Sequence, residues 1–438
     1  MRSHIAYGVL ALLIGAMAAS GCRSSEEAKD VPGAKRGTSS LIQPEIDFVN
    51  LQIAPQQPPV TTVQLYRGNE EVSLPVLPLQ SRETLMLEFD LLQRDGRPLR
   101  IEFQRADRRW QDDFLNPTLY MARQSGDNIT QFRESTAPSS TYVHYEYRFP
   151  NQTIDFKISG NYVLTVLDPS LDDPVLFERP FVVTEQSAEV DYQLRGVPIP
   201  GAGGVWNQPY LLVDPRRFPD RDMFDYGACF FKNTRFDLGR CAGRPTLFQT
   251  PYLSFELDPR ASFEPEPDLH LLDISELRSG IGIEEIYFDV EPIQVNLVSD
   301  LADMGSPEPT FQNGQSAIRA FVHDLTYPEY ESEYVMTNFT YVPFREKRAA
   351  GPVIIMGSFN GWVLDERNTL VWIEEEKRYR GSILLKQGRH AYQYFVSGSR
   401  PPSQGTFAPE SSYTALLYYF DPVQQTDRLI AVRTVIAP

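Results

Sequence analysis

The stretch Gly351–Val396, GPVIIMGSFNGWVLDERNTLVWIEEEKRYRGSILLKQGRHAYQYFV, decides the fold class. A short run at 352–356 meets a turn at Gly357-Ser358, a second extended segment at 379–386 stops at Gln387-Gly388, and a third at 390–396 follows at once. In the third segment Tyr392, Tyr394 and Val396 fall on one face, and Ala391, Gln393 and Phe395 on the other. Successive side chains leave a strand on opposite faces, so period-two alternation between glycine-centred turns predicts antiparallel strands and hairpins. The loop between the first two segments carries Trp362 and Trp372.

The same texture continues outward. Strands are expected at 60–66, 84–89, 99–103, 143–149, 162–167 and 180–184, separated by Gly-Asn, Asp-Gly-Arg-Pro, Phe-Pro-Asn and Ser-Gly-Asn sequences whose residues favour turns. That density predicts a two-sheet sandwich over 44–185. A middle β domain is expected at 186–345, with strands at 210–213, 282–290, 318–321 and 334–341, and a C-terminal sandwich at 346–438. The fold class is therefore all-β, about three tandem immunoglobulin-like β-sandwich domains. A chain of 438 residues exceeds one ordinary core, and its 22 Tyr, 26 Phe and 35 Pro favour strands and rigid loops over helices.

Charge narrows the function classes. Lys plus Arg number 41 and Asp plus Glu 58, a net charge of −17 with no basic block, which argues against nucleic acid as a partner. Residues 264–291 hold nine carboxylates against Arg278 alone. No Asp-x-Asp-x-Asp-Gly loop accompanies them, so they read as a solvated acidic face and not a calcium site.

Met1-Arg2 precedes an apolar run at 5–19, shorter than the ~20 residues of a spanning helix. It ends in Ala19-Ser20-Gly21-Cys22, which predicts a signal peptide at 1–21 and a lipoprotein whose Cys22 is acylated; cleavage nearby to give a soluble secreted protein is the alternative. A polar tether, 22–43, follows. The expected location is the outer membrane facing the periplasm, with the cell surface as the other possibility. Export leaves Cys229 and Cys241 in an oxidising compartment, where a disulfide closing so short a loop contributes ~3 kcal/mol; a buried thiol pair is the alternative.

Catalytic sets are not visible. The five His (4, 144, 270, 323 and 390) are scattered with no ligand spacing, and there is no G-x-S-x-G elbow. Gly201-Ala202-Gly203-Gly204 lacks the Lys-Ser/Thr of a phosphate loop, and Asp112-Asp113 and Asp172-Asp173 read as turn residues. The expectation is a non-enzyme with no cofactor and no metal. Trp362, Phe359 and Trp372, and next Trp206 and Tyr210, are the candidate partner contacts, since aromatics are common interface anchors.

Several segments in order resemble the type IX secretion system plug proteins. They are TVQLY at 62–66, Leu74-Pro75-Val76, LMLEFD at 85–90, Trp110, YVHYEYRFPN at 142–151, Ser159-Gly160-Asn161-Tyr162, residues 192–198, LHLLDISEL at 269–277 and YRGSILLKQGRHAYQY at 379–394. Where that family commonly carries a His-Cys pair upstream of the tryptophan, this chain has Gln104-Arg105. The resemblance implies a periplasmic β-rich protein that docks on the inner mouth of a very large outer-membrane translocon barrel and occludes it when no cargo is engaged. Separately, Gly357-Ser358-Phe359-Asn360-Gly361-Trp362 is similar to the G-x-F-N-x-W of early-set glycogen-binding modules, which implies a carbohydrate-binding lipoprotein as the alternative. The second sugar-stacking tryptophan of those modules is missing, its place taken by residues 397–401.

Overall fold

Alternating burial along Leu99–Ala106 and complete burial along Leu85–Leu91 are the two patterns from which the architecture follows. In the first, Leu99, Ile101 and Phe103 point inward while Arg100, Glu102 and Gln104 face solvent. In the second, Leu85, Leu87 and Phe89 enter a core, yet Met86, Glu88 and Asp90 on the opposite face are buried as well. A half-polar strand buried on both sides must be covered by something else.

The computed structural model describes residues 47–199, 205–217, 222–242, 245–247, 252–264, 269–302, 313–396 and 410–437. The expected signal peptide, Cys22, the tether, Gly201–Gly204 and the turn at 397–401 lie outside the described residues. Those described fall within one compact unit, Glu45–Pro438.

The first sandwich faces a sheet of Val60–Arg67, Leu85–Leu91, Val143–Phe149 and Phe132–Glu134 against one of Val76–Pro78, Val175–Thr184, Gly160–Leu167, Leu99–Ala106 and Gly126–Ile129. Its core is aromatic: Phe89 stacks on Tyr145 with centroids 5.0 Å apart and meets Phe177 edge-on, also at 5.0 Å. Such pairs contribute ~0.5–1.5 kcal/mol beyond their buried area.

The second sandwich pairs Val190–Pro198, Val205–Val213, Leu253–Glu256 and Thr246–Leu247 in one sheet. Its other sheet runs Asp47–Phe48, Arg240–Cys241, Tyr226–Lys232, Ser411–Asp421 and Thr426–Ala437. The third unit is a nine-stranded sheet folded over its own core, from His270–Asp273 at one end of the order to Ile283–Tyr287 at the other. All-β sandwiches are the observed fold class.

The strands run across the expected boundary at 345, while the one at 185 falls between Val175–Thr184 and Val190–Pro198, which belong to different sheets. Tyr334–Val342 pairs along its length with Arg378–Lys386, across the boundary drawn at 345. Tyr226–Lys232 pairs with Ser411–Asp421, so the last two strands complete the second sandwich and not a separate C-terminal one. Turn signals are local and carry no information about such returns. The expected strand at 318–321 is instead a turn, because the amides of Ile318, Arg319 and Ala320 converge on the buried Glu71 carboxylate at 3.1, 3.2 and 2.8 Å. Among the described residues no helix is long and apolar enough to cross a membrane.

Candidate functional site

The outer face of Leu85–Leu91 is covered by the third unit, and the contact is ionic. Lys386, 2% exposed, donates to Asp90 Oδ2 at 2.6 Å and to the Glu329 carbonyl at 2.6 Å, and lies 4.4 Å from the Tyr142 ring centroid. Tyr334 donates to the same Oδ2 at 2.6 Å, and His144 Nδ1 meets Asp90 Oδ1 at 2.7 Å. Glu88 accepts from Tyr66 at 2.6 Å and from Arg319 at 3.0 Å. Nearby, the amide of Tyr334 donates to Ser140 Oγ at 2.7 Å, and the Tyr142 hydroxyl donates to the Ser332 carbonyl at 2.9 Å. Buried charges persist only when paired and hydrogen-bonded, and here the pairing joins two sandwiches.

Burial alone raises the Asp90 carboxyl, but Lys386 and His144 outweigh it and hold it below its ordinary value. Burial likewise opposes charge on His144, but Asp90 and Glu88 prevail and set it at about 9. His390 is the converse case: buried, with Nε2 donating to the Lys386 carbonyl at 2.8 Å, it is pushed down to about 4. The consequences for stability have opposite signs. Charged His144 contributes fully below its ordinary 6.5, and that contribution is lost as pH rises through 9. Neutral His390 costs nothing above 6.5 but costs progressively more as pH falls toward 4, since only the unfolded chain can then take the proton. Stability is therefore expected to peak near pH 6.5, measured as the denaturation midpoint against pH. His144→Gln should flatten the alkaline arm and His390→Gln the acid arm; unchanged arms would refute the assignment.

The first and second sandwiches are joined around Arg105, one of the largest fully buried side chains. Its guanidinium reaches the Asp113 carboxylate, Thr426 Oγ1 and the Asp427 carbonyl, and donates to the Ser159 carbonyl at 3.0 Å. Gly160, at φ +142°, permits this approach: a Cβ there would stand 2.5 Å from Arg105 Nη2. Beside it Tyr418 donates to Asn161 at 2.7 Å. The Cys229–Cys241 disulfide is formed and packs in the apolar cluster at this junction with Val182, Trp110 and Leu416.

All three units meet at a cleft of about 390 Å³ walled by Leu51, Val63, Leu65, Pro180, Phe236 and Trp362. The G-x-F-N-x-W segment forms one side. Asn360 Oδ1 accepts from the Gly357 amide at 3.0 Å and its Nδ2 donates to the Val363 carbonyl at 2.8 Å, closing a tight turn with Gly361 at φ +67°. Gln56 links the two sides behind it, its Nε2 donating to the Phe359 carbonyl at 2.8 Å and its Oε1 accepting from Arg179, which lines the cleft, at 2.9 Å.

The expected contact residues sit at different depths. Trp362 is 9% exposed, its indole N–H donates to the Gly314 carbonyl at 2.6 Å, and Arg235 lies 5.5 Å from its ring. Phe359 and Tyr210 are buried at 5% each, Phe359 in the third core and Tyr210 beneath Arg195. Phe359 and Tyr210 pack inside, and Trp362 shows a small part of its ring at the wall of the cleft. Trp372 is partly buried and donates to Glu374 at 2.6 Å; Trp206 is partly buried in Val205–Val213. The five do not form one patch.

Exposed apolar side chains flank the hairpin of Ile283–Tyr287 and Gln294–Leu297: Ile281, 76% exposed, and Val298, 51%, at one end, and Phe288, 61%, at the other. Glu284, Glu285, Asp289 and Glu291 are exposed beside them, so the acidic face predicted for 264–291 is interleaved with hydrophobes. Alternation alone could not reveal this, because a strand at a sheet's end has the same pattern as one inside it. Among the described residues no group of three or more His, Cys, Asp or Glu is placed to hold a metal.

Fold and junctions together define an all-β protein of three sandwiches fused by buried polar contacts. Residues 60–185, the first sandwich from its first strand to its last, match the family model of the type 9 secretion system plug protein 1st domain. The crystal structure of a hypothetical protein from Parabacteroides merdae is similar in fold, with a TM-score of 0.77 and 24% identity over 90% of this chain and 100% of that one. No curated protein matches the sequence.

Proposed function

We propose that this chain is a non-enzymatic plug or accessory protein of type IX secretion, docking on the periplasmic mouth of a large outer-membrane barrel and obstructing it while no cargo is engaged. The observation that carries the reading is the match of residues 60–185 to the plug-protein first domain. The fused architecture supports it mechanically: a body that blocks a wide pore must not splay under load, and the first sandwich is tied to the third unit by the Lys386–Asp90 ion pair and to the second by the Arg105 hydrogen bonds and the Arg108–Asp427 ion pair at 3.7 Å. Lipid on Cys22 keeps the body near the membrane and raises its effective concentration at the barrel.

The edge assigned to the contact is the Ile281–Val298 hairpin, where exposed Phe288 and Ile281 offer apolar anchors and the carboxylates select a basic rim. Affinity purification of the full chain from outer membranes is expected to recover one very large barrel protein. The variant Phe288→Asp should reduce that recovery by about tenfold or more without lowering the melting temperature. Recovery of no barrel protein by the unaltered chain refutes the plug reading; undiminished recovery by Phe288→Asp refutes only the docking edge.

A further inference from the structure

The cleft between the three units contains a cation, Arg179, that makes no ion pair among the described residues. Arg179 donates Nη2–H to Gln56 Oε1 at 2.9 Å and Nη1–H to the Glu178 carbonyl at 2.8 Å, both neutral acceptors. The Glu178 carboxylate faces the other side, accepting from the Ala54 amide at 2.7 Å and from Thr165 at 3.1 Å. The cleft's own acid, Asp237, is taken by Arg235 at 2.7 Å. Arg179 thus has no carboxylate partner among the described residues, and burial draws its pKa down to about 10.

A second group in the cleft also wants a partner. Gln315 lines it, and its Oε1 is buried without a hydrogen bond among the described residues. A buried acceptor left unmade and a guanidinium without an anion are both unfavourable, and one ligand can relieve both. Such a ligand carries a carboxylate for Arg179, an N–H for Gln315 and an apolar body for the walls formed by Val63, Leu65, Pro180 and Phe236.

We propose that this cleft binds the free carboxy-terminal residues of a polypeptide, with Arg179 receiving the terminal carboxylate and Gln315 accepting from a backbone amide. The guanidinium fork matches the two carboxylate oxygens, and about 390 Å³ accommodates one or two apolar residues. The site stands apart from the proposed docking edge, and its test needs no translocon.

The test is calorimetric titration of the full chain with N-acetyl-Leu-Phe as the free acid, its carboxamide and sodium decanoate. The acid is expected to bind about tenfold or more tightly than the amide, and Arg179→Gln to remove that preference while leaving the melting temperature in place. Arg179→Lys keeps the charge without the fork and should bind the acid with intermediate affinity. Equal binding of acid and amide, or no binding of either, overturns the proposal. Decanoate binding as tightly as the peptide acid also overturns it, because the amide contact at Gln315 would then contribute nothing.

Discussion

Lys386→Ala is expected to lower unfolding free energy by about 3–5 kcal/mol, among the largest losses available to a single substitution in this protein. The ammonium is buried beside Asp90 at 2.6 Å, so its removal leaves a buried carboxylate between the first sandwich and the third unit with one cation, His144, in place of two, and the Tyr334 hydroxyl as its remaining donor. Chemical denaturation measures the effect. Asp90→Asn in the Lys386→Met background should lose about 1–3 kcal/mol less than the sum of the two single changes, because the second substitution removes the carboxylate whose nearer partner the first took away. Strict additivity would mean the pair does not act as a unit.

Arg105→Ala is expected to cost a similar ~3–5 kcal/mol, at the other junction. Its fork serves Asp113, Thr426 and two backbone carbonyls from two sandwiches at once. Arg105→Lys should recover little of that loss, since an ammonium cannot reproduce the planar geometry. Thermal unfolding with limited proteolysis near 421–427 checks both variants: the alanine protein should melt earlier and be cut faster there. A melting temperature unchanged in Arg105→Ala would show that the junction is held by its apolar cluster alone.

The sequence made strands legible wherever one face met a core and the other met water. Leu99–Ala106 is such a case, its hydrophobes and polar residues alternating as burial requires. It hid the junctions for a related reason. Glu88 and Asp90 read as the solvent side of an ordinary strand, and only the return of Lys386 from 296 residues away turns that face into an interior. The Gln104-Arg105 departure was visible, but nothing local distinguishes a buried bridging arginine from a surface one. The G-x-F-N-x-W segment suggests a partner contact from sequence because aromatics are common interface anchors, and separately resembles a sugar-binding motif. The same residues close a turn whose indole N–H is spent on Gly314. The cleft was beyond reach of the sequence, for Gln56, Arg179 and Gln315 share no pattern and meet only once three units are in place.

The second sandwich sets an order of events during synthesis. Tyr226–Lys232 waits for Ser411–Asp421, which itself needs Thr426–Ala437 beside it, while the whole third unit lies between them in the chain. The sheet holding the disulfide therefore cannot close until Ser411–Ala437 has arrived, and until then an open edge near the cysteines stays available to chaperones or to a neighbouring molecule.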